Sequence, residues 1–412
     1  MRKALEGIRV LEMTTAVAGP VCGHILGDMG AEMIKVEEPR SRARVPGGVP
    51  PSIEGAPDRP YNRQTNYVEL NRSKRSLSLN VASDEGREIY LKLAEKCDVM
   101  IENFAPRVVG NLGIDYESIK KRNPSIIYVS MPAFGKTGPY RDRGSYGPGI
   151  DAMSGISHLT GYPDREPGKP ANFFCDQNAG LHAAFIIMTA LRHRRRTGEG
   201  QYIEMSMLEG ELQSVAPALM DVTLNGRNRV RTGNKHEWFA PHGVYKCEGE
   251  EAWIAIAITS QDSWVQLCKV MDRNDLERNE KFVSMHARVE NSDELDEILS
   301  KWTADKNKHS LQKLLQSNGI SAGVALRPNE LFEDPQMLHR SSFTWSDHPE
   351  MGPFPHTRTA WKSTRGNTGV SRHGPLFGGA NDFVFRELLG LADDDIQSLI
   401  DAKITSYSPV TD

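Results

Sequence analysis

Asp176 is the residue of this 412-residue sequence best suited to do chemistry. It follows Phe173, Phe174 and Cys175 and precedes Gln177, Asn178, Ala179 and Gly180. From there Leu181, Ala184, Phe185, Met188 and Leu191 recur at helical spacing. An Asp at such a helix start commonly serves as the N-cap. The helix dipole also keeps its carboxylate ionised, and small neighbours leave the oxygens open, so the same residue suits a nucleophile. Cys175 beside it is either a second nucleophile or a small buried thiol.

Two further constellations suit a phosphorylated ligand. Asn71, Arg72, Ser73, Lys74 and Arg75 place three cations and two small polar groups just before the alternating run SLSLN. Arg offers a fork and Lys a point charge to a phosphate; solvated surface charge is the alternative. Glu102, Asn103 and Phe104 follow a strand-like run at the end where α/β sheets bind ligands. Phe104 there either stacks on an adenine, with an amide beside it, or belongs to the core. The twelve histidines show no metal-ligand spacing, so no metal is expected, and the sequence has no G-x-S-x-G elbow. Glu37 and Glu38 end a second strand as a ribose-binding acid would. The turn TTAVAGP before them lacks G-x-G-x-x-G, which argues against a nicotinamide dehydrogenase.

Strands and helices must hold these groups. IRVLEM (8–13), a helix from Val21 to Met29 and a strand from Met33 to Val36 read as a βαβ unit. A helix from Asp84 to Cys97 precedes DVMIEN (98–103), and one from Tyr116 to Arg122 precedes SIIYVSM (125–131). The alternation predicts an α/β fold with a parallel sheet covered on both faces. Residues 39–71 and 134–168 read as Pro- and Gly-rich loops. The basic run Arg192 to Arg196 suits the C-terminal end of the helix that begins near Asp176. From Gly226 to Ser321 the strands GVYKC and WIAIAI and helices at 262–271 and 292–303 predict a smaller α+β domain. Residues 353–379 carry little secondary-structure signal, and helices at 382–391 and 393–401 follow them.

A chain of this length predicts two or three domains. Fifty Lys and Arg against fifty-four Asp and Glu leave a formal charge of −4, too balanced for a nucleic-acid-binding protein. Five separated cysteines without a C-x-x-C pair point to a reducing compartment. No run reads as a targeting or membrane-spanning segment, so a cytoplasmic protein is expected.

The segments LEGIRVLEMTTAVAGP (5–20), LGDMGAEMIKVE (26–37), LNRSKRSLSLN (70–80), DVMIENFAP (98–106), FGKTGP (134–139), the Asp176 segment, RRTGEGQYIEMSMLEG (195–210), GNKHEWFAPHGVY (233–245) and LLGLADDDIQSL (388–399) resemble, in order, the class III CoA-transferases, the CaiB/BaiF type. The resemblance implies a Rossmann-like large domain from residues 1–205 and 330–412 and a small domain at 226–325. Structureless connectors at 206–225 and 326–380 would cross between two interlocked subunits. It implies Asp176 as covalent nucleophile, and Val17, Ala18, Asn71, Arg72, Ser73, Lys74, Arg75, Asn103, Phe104, Ala105, Arg107, Phe134 and Gly135 as residues that hold CoA. A CoA thioester is then a substrate, no cofactor is permanently bound, and the partners are an acyl-CoA, a carboxylic acid and a second subunit, either identical or related.

The chain departs from the formyl-CoA branch at Val17, where that branch has Gln, and at Ile258 to Asp262, where it has a Gly-rich loop. Ser145-Tyr146-Gly147 stands where the racemase branch has a proton-transferring His. Two segments, at 13–39 and 56–77, look most like transferases that move CoA from succinyl-CoA to (R)-benzylsuccinate, so an aromatic or branched dicarboxylate is the expected acceptor. A racemase or isomerase and a catalytically silent CoA-binding subunit are the alternatives.

Overall fold

The computed structural model describes residues 3–43, 49–170, 173–366 and 368–411. The chain divides into two compact units: Met1–Ser157, Lys169–Asn228 and Arg340–Asp412 form the first, His158–Gly168 and Arg229–His339 the second. The segment 158–168, assigned to the large domain from sequence, thus packs with the second unit.

The expected parallel sheet lies in the first unit. Its strands are β1 (Arg9–Met13), β2 (Glu32–Glu37), β3 (Lys74–Ser78), β4 (Val99–Glu102), β5 (Ile127–Ser130) and β6 (Gln201–Glu204). They are ordered β3-β2-β1-β4-β5-β6 with every pairing parallel. This is the Rossmann order, which reverses between β1 and β4 and opens a crevice beyond their C-terminal ends. The two-residue period of the strands sorts their side chains to opposite faces. Val10, Val99, Ile101, Ile127 and Val129 pack with the helices Ala18–Asp28 and Phe174–Thr197. Leu11, Met100 and Tyr128 face the other way, toward the helices Asp84–Ala94, Tyr116–Arg122 and Asp393–Asp401, so both chain ends serve one core.

Every residue of the Ala18–Asp28 helix is buried. Gly19, Gly23 and Gly27 recur every four residues, which aligns them on one face. A Cβ at Gly23 would stand 1.9 Å from Glu12 Oε2, and one at Gly27 2.9 Å from the Ser73 carbonyl oxygen. The helix therefore lies on the sheet at a distance that only glycine permits. Under Gly23, the buried Glu12 carboxylate accepts from Lys35 Nζ at 3.1 Å and from Lys74 Nζ at 2.9 Å, joining β1, β2 and β3. On the opposite side the Phe174–Thr197 helix crosses at Gly180, where a Cβ would meet Val21 Cγ1 at 2.5 Å and the Ala18 carbonyl oxygen at 2.9 Å.

The second unit is an antiparallel sheet of β7 (His242–Lys246), β8 (Trp253–Ala257) and β9 (Ser321–Ala325). Ile254 and Ile256 pack there with Trp264, Leu267, Leu295, Leu299, Leu311 and Leu315 from the flanking helices. Residues 258–260 link β8 to the Gln261–Val270 helix, which Ser260 caps.

Two expectations need correction. The connector 206–225 is regular, with helices Met207–Leu212 and Ala216–Asn225. The stretch 326–380 holds a hairpin of β10 (Phe343–His348) and β11 (Gly352–Thr357); residue 367 lies outside the described residues, as do 44–48 of the loop at 39–71. Pro353 and Pro355 hid β11: proline is excluded from central strands but tolerated in a two-stranded ribbon, where one side of each strand is an edge. Overpacking the helix crossing by Gly180→Val is expected to destabilise the chain by about 1–3 kcal/mol, read as a lower urea midpoint with unchanged slope.

Candidate active site

The Phe174–Thr197 helix begins from Phe173, which is left-handed (φ 61°) and makes no side-chain cap. Asp176 is thus not the N-cap expected from sequence; it is the third residue of the helix, in the first turn. It is only 5% exposed. The backbone N–H of Ala18, the first residue of the neighbouring helix, lies near its carboxylate and favours the charged form. The carboxylate also rests against Gly147, the first residue of the Gly147–Met153 helix, where a Cβ would fall 1.9 Å from Oδ2. Burial raises the Asp176 pKa above the ordinary aspartate value; the Ala18 N–H opposes the rise and the nearby Asp151 carboxyl adds to it. Cys175 is buried and its thiol is pushed far up by that burial, so it is a core thiol.

A cavity of about 360 Å³ opens where the strand order reverses. Met13, Thr14, Thr15 and Ala16 from the end of β1, and Lys35 to Glu38 from the end of β2, form two of its walls. Ser41, Arg42, Gln64, Tyr67, Val108 and Leu112 complete it with Asn71 and Phe104. Of the residues expected to hold CoA, only the last two line this space. The Phe104 ring also packs on the core behind it, as the core reading of that residue has it. The turn Thr14–Val17 leads from the cavity wall into the Ala18–Asp28 helix, with Ala16 left-handed at φ 57°. Asn103 ties this turn to β4: its Nδ2 donates to the Thr15 carbonyl and its Oδ1 accepts the Thr15 N–H, both at 2.9 Å. The amide expected to meet an adenine is therefore committed to the backbone.

The sequence pattern of CoA-transferase family III matches residues 5–381. The chain belongs to this family. It is 32% identical to the succinyl-CoA–D-citramalate CoA-transferase of Chloroflexus aurantiacus over 397 residues, 96% of this chain and 97% of the relative. It is 29% identical to the human succinyl-CoA:glutarate CoA-transferase over 402 residues, 98% of this chain and 90% of the relative. The crystal structure of a CaiB/BaiF family protein from Brucella suis superposes with a TM-score of 0.85 at 32% identity, covering 94% of this chain and all of that one. No helix among the described residues is long and apolar enough to cross a membrane.

In this CoA-transferase the cation cluster at 71–75 is mostly internal. β3 starts at Lys74, two residues before the expected strand, and draws the cluster into the sheet. Lys74 is fully buried and bonds Glu12, the Pro20 carbonyl and Asn71 Oδ1; burial pushes its pKa down to about 8 against the pull of Glu12. Arg72 pairs with Asp28 at 3.0 Å and Glu69 at 2.8 Å, and Ser73 Oγ donates to Asp28 at 2.6 Å. These partners take the charge that a phosphate would have met. Arg75 is half-buried over the Phe383 ring, and Arg107 is exposed. Ala105 starts the helix Pro106–Asn111, Phe134 packs edge-on against Tyr140, and Gly135 is left-handed at φ 86°. Sequence reading missed Ser41, Arg42 and Tyr67 at the cavity. Their only signal was membership of the stretch at 39–71, because what they touch is distant in sequence. Lys74→Met, which leaves the buried Glu12 carboxylate to Lys35 alone, is expected to cost about 1–3 kcal/mol of stability in chemical denaturation, while the KM for a CoA thioester in the remaining folded enzyme stays near wild type.

Proposed function

We propose that this enzyme moves CoA from succinyl-CoA to a second dicarboxylate through covalent intermediates on Asp176. The observation that carries the reading is the buried Asp176 carboxylate in the first turn of its helix, with the Ala18 N–H beside it, close to the cavity at the sheet's switch point. In the first step an Asp176 oxygen attacks the thioester carbonyl, the C–S bond breaks, and a mixed anhydride and CoA thiolate form. The thiolate then attacks the Asp176 side-chain carbonyl, the anhydride C–O bond breaks, and succinate leaves an aspartyl-CoA thioester behind. The acceptor carboxylate attacks that thioester, and the released thiolate attacks the acceptor's side of the new anhydride. Acceptor-CoA departs and the Asp176 carboxylate is restored, with no net proton gained or lost. Burial excludes the water that would hydrolyse the anhydride, and the Ala18 N–H is available to the oxyanion that develops at the side-chain carbon.

Relatives that act on D-citramalate and glutarate support succinyl-CoA as donor and a dicarboxylate as acceptor, (R)-benzylsuccinate being one member of that class. On its own helix the residue facing Asp176 is Gly147, which has no group to carry a proton; this supports transfer over racemisation. Residues at the cavity, among them Asn71, Phe104 and the Thr14–Ala16 turn, are assigned to CoA. Asp176→Ala is expected to abolish transfer, with wild-type CoA binding by calorimetry, and hydroxylamine is expected to trap an adduct on Asp176 only in the parent enzyme. Retained turnover in the variant overturns the reading. A panel of dicarboxylates offered with succinyl-CoA then ranks the acceptors.

The working enzyme is proposed to be an interlocked pair of subunits, this chain with a copy or with a related chain. Leu181 and Phe185 on the Phe174–Thr197 helix, and Met220 and Leu224 on the Ala216–Asn225 helix, are exposed, Phe185 by 68% and Leu224 by 73%. Such apolar area suits a subunit contact. Sedimentation is expected to give twice the chain mass at all dilutions, since linked rings cannot part without unfolding; a concentration-dependent monomer counts against the linkage.

A further inference from the structure

Two buried carboxyl groups that no step of the transfer uses stand behind Asp176. Asp151, on the Gly147–Met153 helix, is fully buried, and its Oδ1 accepts the Cys175 N–H at 3.3 Å. Glu211, on the Met207–Leu212 helix, is fully buried as well, and its Oε2 accepts from Asn178 Nδ2 at 3.3 Å. Asp151 Oδ2 and Glu211 Oε1 have no hydrogen-bond partner among the described residues. One oxygen of each carboxyl and Cys175 Sγ lie within 4.8 Å of one another.

Their placement brackets the turn that carries Asp176. Phe173 makes no side-chain cap, so the first N–H groups of the helix depend on groups from elsewhere, and Asp151 supplies one. Asp151 is also four residues after Gly147, one turn along the helix whose first residue the Asp176 carboxylate rests against. A single hydrogen bond thereby sets the register between Asp176 and its resting surface. Glu211 holds the same turn from the other side through Asn178, two residues beyond Asp176. Two fully buried carboxylates this close, each with an unpartnered oxygen, are less costly sharing a proton than both ionised.

We propose that Asp151 is a positioning residue for Asp176, and that Asp151 and Glu211 retain at least one proton between them at neutral pH. The Ala18 N–H favours the charged form of the third carboxyl, Asp176, which is the one left to carry charge. Burial raises the carboxyl pKa of both Asp151 and Glu211, with the Cys175 N–H and Lys169 acting against it at Asp151, and Asn178 at Glu211.

The inference rests on Asp176 being the nucleophile, and the test separates the two. Asp151→Leu, Asp151→Asn, Glu211→Gln and the Asp151→Asn/Glu211→Gln pair are compared with Asp176→Ala. The infrared spectrum of the full-length parent enzyme at neutral pH is expected to contain a protonated-carboxyl band that the paired variant lacks. Asp151→Leu is expected to lower kcat about 100-fold while the KM for succinyl-CoA changes less than about threefold. Asp151→Asn, which keeps an acceptor for the Cys175 N–H, is expected to recover most of that loss. Absence of the band, or a metal ion bound stoichiometrically by these three side chains in the purified enzyme, overturns the retained proton. Wild-type kcat in Asp151→Leu overturns the positioning role. If Asp151→Leu does not fold, the isosteric variants decide the question: an Asp151→Asn kcat about 100-fold down with the band unchanged counts against both halves. An inactive Asp176→Ala beside a fully active Asp151→Leu sinks this inference alone, whereas an active Asp176→Ala sinks the nucleophile itself.

Discussion

The Ala18–Asp28 helix is held on two sides by contacts that leave no room for a single added carbon, and the geometry of the site follows from that seat. Toward the sheet, Gly19, Gly23 and Gly27 remove the atoms that would lift it off β1 and β3. Toward the Phe174–Thr197 helix, Gly180 does the same at the crossing with Val21. A helix clamped this way cannot slide or rotate without a clash, so its first N–H groups stay fixed in space. One of them, at Ala18, meets the Asp176 carboxylate. The usual glycine-rich phosphate turn is replaced by a turn whose one left-handed residue, Ala16, sends the chain from the cavity wall straight into this helix.

The buried ionic groups under that helix serve the same seat. Glu12, Lys35 and Lys74 place charges from three adjacent strands in one dry space. Desolvation of three charges offsets much of their attraction, so the cluster is better understood as a register device than as a large source of stability. Any sliding of β2 or β3 against β1 would separate a lysine from Glu12 and leave a charge alone in the core. Arg72 and Ser73 on Asp28 fasten the other end of the helix to the start of β3 in a similar way. The cations of residues 71–75 thus hold the framework that shapes the cavity, while the wall itself presents Lys35, Arg42 and Tyr67.

Much of this was legible in the residues themselves. β1, β4 and β5 follow from short apolar runs, and the helices Tyr116–Arg122, Ser292–Thr303 and Asp393–Asp401 are likewise where their sequence pattern puts them. The prominence of Asp176 came from its neighbours, since small and amide residues opening a long apolar helix are a local pattern. What remained hidden was nonlocal or locally contradicted. β11 contains two prolines and pairs only because β10 lies beside it. The helices at 207–225 expose apolar side chains, which makes them read as irregular in isolation.

Sequence by itself therefore determined the fold class, the family and the identity of the one carboxylate worth testing, because each of these is written in local pattern or in the order of motifs. Only the tertiary structure decided which cations are free and which are buried partners, because a lysine's role depends on whether an acid such as Glu12 stands opposite it, 62 residues away in the chain. Only it brought Gly147, Asp151 and Glu211 around the turn of Asp176. Gly147 and Asp151 come from one helix and Glu211 from another, and their meeting at a third depends on packing distances set by glycine, which no local pattern encodes.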